Sequence, residues 1–436
     1  MRFSLPYGDS MAEMEVEDTC FIGLMDPPCQ PPNPDPEGEI RYAIEHPFGG
    51  RRLEDIVSRD KKIALIVDDG SRPTPVKRIL PVLMEKLSRC GGRPANVKIV
   101  IALGSHRYMT AKEMRDRVGE EIYDTCQVVN SEFRDPSKLV YICDTEEGAP
   151  LMATRDIMEA DVRIGVGNLV PHPVMGWGGG GKIIFPGVAG EDTVSYFHLK
   201  ASLFDENLFG RSTTPIRDMM EGWVKRIGLD FVINTVLTPS LSIYRVVAGD
   251  YIEAHRAGVE IGKKVLGCKV TEKADVVIVS SHPADQDFWQ SPKAIYGAEP
   301  ALKGERGGTI ILLSPNYEGI GPHPEYPACM GRDDGDDLVR ACIAGEKVPG
   351  DRLAIAVGNS MSKMRRRRKL VVVGDGVTRE EMERCGCVHY PLAQLQRAVD
   401  EAVAEYPGCR VAALSGGAEA FLYEEDEDGT VPEHPA

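Results

Sequence analysis

The chain has 436 residues and a formal net charge of −16. Its length exceeds one typical domain and predicts two. Its acidity argues against a general nucleic-acid binder, which would carry a basic face, though a local Arg and Lys cluster could still take an anionic small-molecule substrate. No apolar run approaches the roughly 18 residues that span a bilayer. The first ten residues, MRFSLPYGDS, also lack the apolar centre of a signal peptide. No membrane partner and a cytoplasmic location are therefore expected. The 11 cysteines are odd in number and scattered, which suits reduced thiols. Cys385 and Cys387 stand one residue apart, a poor fit to the two-residue spacing of zinc and redox motifs.

Residues 1–60 are mixed, with a turn-rich loop, PPCQPPNPDPEG, at 27–38 and a short helix expected at 51–59. From Lys62 the pattern sharpens. KIALIVDDG has a continuous apolar centre and a polar end, as a buried parallel strand does. A helix is predicted over 76–90, closed by Gly91 and Gly92. VKIVIALG is the next strand. Thr110 and Glu113 form a capping-box signature for another helix. ADVRIGVGN is a third strand, a helix follows over 214–227, DFVINTVL is a strand, and 250–266 is a helix ended by Gly267.

Residues 268–273 are the predicted boundary. Beyond them the alternation restarts with ADVVIVSS, a helix over 291–302, GTIILLS, helices within 334–364, KLVVVGD, a helix opened by Thr378, a last helix over 393–406, and RVAALSG. The expected class is α/β, with two α/β domains, mainly parallel sheets and an active site in the interdomain cleft. The N-terminal domain is expected to span 1–268 and carry the chemistry. The C-terminal domain, 274–436, would complete the pocket and end in an acidic tail, EEDEDGTVPEHPA, expected to fray. The arginine run 365–368 is expected to be a solvated face.

Ligand sites in open α/β sheets lie beyond the C-terminal ends of the strands. Four segments fall there: DDGSRPTP, GSHR, PHPVMGWGGGGK and DQDFWQSPK. This shared placement assembles them into one cleft site. GWGGGGK matches the first seven positions of a phosphate-binding loop, but Ile183 stands where that loop needs Ser or Thr for magnesium. Close approach of glycine backbone to a ligand is the better expectation, with a bland Gly-rich turn as the plainer one. In DDGSRPTP, a helix start, Ser71, Thr74 and Arg72 could together bind an anion; otherwise this is a helix cap. His106, His172 and His198 gather around Lys182. They could all be metal ligands, although their spacing matches no familiar zinc signature, or two could be acid–base groups while one holds a metal or cofactor. Gln290 and Lys293 could present polar ends to the cleft, with Trp289 as an apolar wall. His255, His282, His323 and His389 are taken as structural or peripheral.

Together these motifs resemble the nickel-pincer-nucleotide-dependent lactate racemases and their 2-hydroxyacid racemase and epimerase relatives, across roughly 61–416. The resemblance implies a racemase or C2-epimerase of lactate, malate, a longer hydroxyacid or an aldonate. It implies a nickel-pincer nucleotide covalently attached at Lys182, with His198 as ligand to nickel(II). It further implies His106 and His172 as alternating acid–base groups. Arg72, Gln290 and Lys293 would bind substrate beside Trp289, and Asp69, Ser71 and Thr74 would lie near the cofactor. Cofactor-biosynthesis enzymes would be needed for maturation. Trp289 replaces a smaller aromatic of the lactate racemases, which leaves lactate itself open. The alternatives are another lysine-centred, cofactor-dependent dehydrogenase or lyase, and a non-catalytic carrier of the nickel nucleotide.

Overall fold

A computed structural model describes residues 1–424 of the chain, so the expected acidic tail lies outside the described residues beyond Glu424. Two six-stranded sheets organise the molecule. The first runs in the order Ile243–Gly249, Phe231–Leu237, Val162–Asn168, Ile63–Asp68, Val97–Ala102, Gln127–Asn130. Its neighbours are parallel except for the antiparallel pair Phe231–Leu237 and Ile243–Gly249. The second, wholly parallel, runs Val388–Tyr390, Lys369–Val373, Thr309–Leu313, Val276–Ser280, Val411–Leu414, Phe21–Leu24.

The central strands are buried along their apolar lengths: Ile63, Ala64, Leu65, Ile66 and Val67 are each at most 1% exposed. Helices cover both faces, so an unbroken apolar run is the stable pattern. The helix signals hold locally. Thr110 and Thr378 each accept the N–H of a glutamate three residues on, whose side chain accepts the N–H of the threonine. Gly228, at φ 86, ends the helix Pro215–Ile227, in a backbone region that only glycine enters cheaply.

The expected N-terminal domain of 1–268 needs correction at its start. Arg2–Tyr7 and Ser10–Glu15 pair as a hairpin, and Phe21–Leu24 adds to the edge of the second sheet beside Val411–Leu414. Leu5, Ala12, Met14 and Val16 pack into a cluster with Val276, Ile311 and Val399 of that half. The first 25 residues thus complete the second unit, and the chain then crosses to build the first. The second sheet would otherwise expose an apolar edge. The halves also share a core: Phe421 lies edge-on to Trp177, with ring centroids 5.5 Å apart, and Leu353 joins the same cluster. The helix Glu191–Ser202 packs against Arg352–Arg367, where Asn359 Nδ2 donates to Ser202 O at 3.2 Å. Arginines 365–368 are no free solvated face. Arg365 pairs with Asp333, Arg367 and Arg368 with Glu299, and Arg368 also donates to the carbonyls of Lys303, Gly304 and Gly307. Among the described residues, no helix is long and apolar enough to cross a membrane.

The placement of the N-terminal hairpin is testable. Leu5 is fully buried, so Leu5→Ala should cost about 2–5 kcal/mol by removing packed methyl groups and leaving a cavity. A denaturant midpoint unchanged from the native protein would show that the hairpin is not part of the core.

Candidate active site

Registers within each sheet bring the strand ends level: Asp68 pairs with Ala102, Asn168 with Thr235, and Ser280 with Leu313. The loops beyond these ends meet in one cavity between the halves. It is lined by Asp69, Ser71, Arg72, His106, His172, Lys182, His198, Trp289, Gln290 and Lys293. Of the residues expected at the site, only Thr74 is absent from this lining. Its hydroxyl instead donates to Asp68 Oδ2 at 2.6 Å, and Thr74 itself is buried. It fastens the turn between strand and helix and presents nothing to a ligand.

Asp69, expected near a cofactor, serves His106. Its Oδ2 lies 2.6 Å from His106 Nδ1, and its Oδ1 accepts the Ser71 hydroxyl at 2.6 Å. Burial alone would raise this carboxyl, but His106, Arg72 and the Ser71 hydroxyl hold it well below the usual carboxylate range. A carboxylate at Nδ1 fixes the proton there and turns the Nε2 lone pair to the cavity. Gln290 Nε2 meets that lone pair at 3.0 Å. Gln290 therefore bridges the halves: its Oε1 also accepts from Lys293 and, at 3.5 Å, from Arg72.

His172 shows the other tautomer. Its Nδ1 accepts the Val174 N–H at 3.2 Å, so a neutral ring carries its proton on Nε2. Burial, then the charges of Lys182, Lys293 and Arg72, push its pKa well below the usual value. His198 stands on the helix Glu191–Ser202 and points Nδ1 at Val194 O, 2.8 Å away. Nδ1–H donates, and Nε2 is left as a free electron-pair donor, the usual arrangement of a metal-binding histidine. Burial lowers its pKa to about 4, so it is unprotonated at neutral pH.

Lys182 lies deep in the molecule but open to the cavity. Burial and the nearby Arg72 lower its amine to about 7, which makes a substantial fraction of it a free nucleophile. Lys293 is likewise pushed well down, by burial and by Arg72 and Lys182. The glycines before Lys182 serve the fold more than a ligand. Gly179 and Gly180 have φ of 74 and 59. A Cβ on Gly180 would meet Tyr251 O at 2.8 Å, and one on Gly181 would meet Val224 at 3.0 Å. At Gly178 an added Cβ would make ordinary contacts, the nearest at 3.6 Å, and Gly178 and Gly179 line the cavity. The turn is clamped by three side chains, of which Asn234 also lines the cavity. Asn234 Oδ1 accepts the Gly180 N–H at 2.8 Å, His255 Nε2 reaches Gly178 O at 3.0 Å, and Arg217 donates to the carbonyls of Met175 and Trp177. His255 is structural, as expected, but specifically as a clamp on the Lys182 loop.

His323, expected to be structural or peripheral, is structural: its ring lies 4.2 Å from that of Trp289, and its Nδ1 lies 2.6 Å from Asp351 Oδ2. It supports the Trp289 wall from behind. Two further cavity residues carried no motif. Asn168 has a buried Nδ2 with no partner, and Glu419 follows the strand Val411–Leu414. The rule that sites lie beyond strand ends applies to both and could have found them.

Among the described residues, no group of three His, Cys, Asp or Glu side chains could hold a metal. A metal here would have one histidine nitrogen, His198 Nε2, and would need its other donors from a bound organic group. The unpartnered Asn168 donor, the Gly178 backbone at the cavity wall and the free Lys182 amine suit such a group.

Lys182 gives a direct test. An amine-reactive probe applied to cofactor-free protein should modify Lys182 with a rate that rises through pH 7 as the amine loses its proton. Peptide mapping across pH checks this, and a midpoint near the ordinary lysine value would contradict the assigned environment.

A family profile described as "Lactate racemase N-terminal domain" matches residues 7–209. A lactate racemase of Thermoanaerobacterium thermosaccharolyticum is 31% identical over 352 residues, covering 79% of this chain and 81% of the relative. A lactate racemase of Lactiplantibacillus plantarum is 28% identical over the same shares. In three dimensions the chain is similar to the lactate racemase apoprotein of T. thermosaccharolyticum, with a TM-score of 0.82 at 26% identity over 97% of this chain and 100% of that one. A Thermotoga maritima protein shares the fold, with a TM-score of 0.71 at 17% identity over 91% of this chain and 100% of that one. With its cavity built at the strand ends of two α/β units, the chain belongs to the lactate racemase family.

Proposed function

We propose that this protein interconverts the two C2 configurations of a 2-hydroxycarboxylate, as a racemase or C2-epimerase, with a nickel-pincer nucleotide attached at Lys182 and its nickel(II) held by His198 Nε2. The observation that carries this reading is the pairing of His106 and His172, in opposite tautomers, in the one cavity that also holds Lys182 and His198. The bound group would supply reversible acceptance of a hydride from C2.

The chain does the rest. Arg72 and Lys293 provide charge for the substrate carboxylate, and Gln290 joins them in one hydrogen-bonded set. His106 Nε2 is the ready base for the hydroxyl proton, because Asp69 holds the Nδ1–H and stabilises the imidazolium that forms. His172 presents Nε2–H to the cavity. As it stands it donates toward the substrate hydroxyl; to accept a proton at Nε2 it must carry its own on Nδ1 and give up the Val174 N–H, a change favoured once a bound carboxylate offsets the cations that now depress it. Loss of hydride makes C2 planar, so either face can be returned. Two separate acid–base groups then serve the two hands of the hydroxyl. Trp289 forms the pocket wall and leaves lactate, malate, longer hydroxyacids and aldonates as candidates. The same reading gives the protein cofactor-assembly enzymes as maturation partners.

Protein made alongside such enzymes should gain mass on Lys182 and carry roughly one nickel per chain, as a site with one protein nitrogen and a chelating organic group requires. Active enzyme with unmodified Lys182 would falsify the proposal. His106→Ala and His172→Ala should each lower kcat by about 10²–10⁴, the usual worth of a positioned acid–base group, with nickel content retained. Near-native turnover in either variant would rule out a two-histidine mechanism.

A further inference from the structure

Two acidic side chains of the cavity, Asp68 and Glu419, are not used by the proposed chemistry; Asp68 is held by the Thr74 hydroxyl, whereas Glu419 is not so engaged. It stands on residues 415–420, directly after the strand Val411–Leu414. That loop is pinned at several points. Ser415 donates its N–H and its hydroxyl to Asp26, each at 2.7 Å, and Gly417 N–H donates to Ser280 O at 3.1 Å. A Cβ on Gly417 would fall 2.1 Å from Val279 and 3.1 Å from Ala294, on the helix that begins with Lys293. Glu419 and Ala420 both donate backbone N–H groups to Gly416 O. The side chain is therefore delivered to the cavity by fixed backbone.

Its carboxyl enters none of the side-chain hydrogen bonds or ion pairs found among the described residues. The charges that act on it are Arg72, His282 and Lys293. Burial outweighs them and raises the group to about 7. A carboxyl present only to neutralise the two cations would be expected to pair with one of them directly, as Glu299 does with Arg367 and Arg368. Glu419 instead keeps its oxygens free within the field of the two groups that would hold a substrate carboxylate.

Resting on the 2-hydroxyacid reading above, we propose that Glu419 is a specificity residue. It favours substrates with a hydroxyl beyond C2 and disfavours those with a second carboxylate. A substrate hydroxyl pairs with the carboxyl oxygens as it displaces water from them, whereas a methyl group leaves them desolvated and unpaired. A second carboxylate meets like charge. Polar discrimination of this kind exceeds what one extra methylene can provide.

Three acids test the idea on loaded enzyme: glycerate, which is lactate with one added hydroxyl, lactate itself, and malate. Native enzyme should prefer glycerate over lactate in kcat/KM by at least about tenfold, as a site built to bond a hydroxyl does. Glu419→Ala should bring that ratio near unity. Glu419→Gln, which keeps size and hydrogen bonding but loses the charge, should keep part of the glycerate preference and raise malate relative to lactate by more than about tenfold, the scale of a removed like-charge contact. Ratios that stay unchanged in both variants would overturn the assignment while leaving the racemase reading intact. Calorimetric binding of glycerate and malate to cofactor-free protein separates the two ideas. If Glu419→Gln strengthens malate binding there while loaded native enzyme turns over neither these acids nor a longer hydroxyacid or aldonate, the racemase reading falls and the selectivity assignment stands.

Discussion

The crowding of basic nitrogen into one buried cavity governs the rest of this site. Lys182, Lys293, His172 and His198 each sit below their ordinary pKa because burial removes water and because each lies within reach of other cations. The consequence is chemical. An amine near neutrality is a nucleophile, and an unprotonated imidazole is a metal ligand. A set of unbalanced cations is also a receptor for an anionic acid. The compensating carboxylates are few, and Asp69 is committed to His106. That single contact sets the His106 tautomer, and the contrast with the backbone-held ring of His172 gives the cavity two imidazoles in different tautomers.

A site this crowded needs a stiff frame. The turn before Lys182 is gripped through its carbonyls by Arg217 and His255 and through an N–H by Asn234. Arg217 is fully buried and itself held by Glu221, which also pairs with Arg256. The glycines let this turn nest against Tyr251, His255 and Val224. From the other half, Gln290 closes the arrangement by touching His106, Lys293 and Arg72 together. His106 thus comes from one sheet, and Gln290, which meets its open face, comes from the other.

Much of this was legible in sequence, for identifiable reasons. Central parallel strands are apolar throughout, so the strands at 63, 97, 162, 276, 309 and 369 stood out, and helix ends announced themselves through Thr110, Thr378 and Gly228. Edge elements were less visible. Ile243–Gly249 is antiparallel, but the helix Pro36–Glu45 covers Val246 and Ala248 while the helix Glu253–Leu266 covers Val247, so it lacks the polar alternation of an edge. The strand Phe21–Leu24 is four residues long and pairs with one nearly 400 residues away, a contact that no local pattern encodes. At the site, residue types and strand ends located the histidines and lysines. They could not show that Thr74 turns inward, that Asp69 is an orienting group, or that glycines 179–181 serve packing. Those depend on side-chain direction and neighbours. Glu419 was missed because one glutamate after GGA carries no signature of its own.

The central claim is that the hydrogen on C2 moves without meeting solvent while the histidines handle only the hydroxyl proton. The most direct measurement follows one enantiomer of C2-deuterated substrate through loaded enzyme in ordinary water. The account predicts a primary isotope effect and a product of inverted configuration that keeps its deuterium at C2. Inverted product with the deuterium replaced by solvent hydrogen would mean that a histidine or lysine takes the C2 proton, and the account would be wrong.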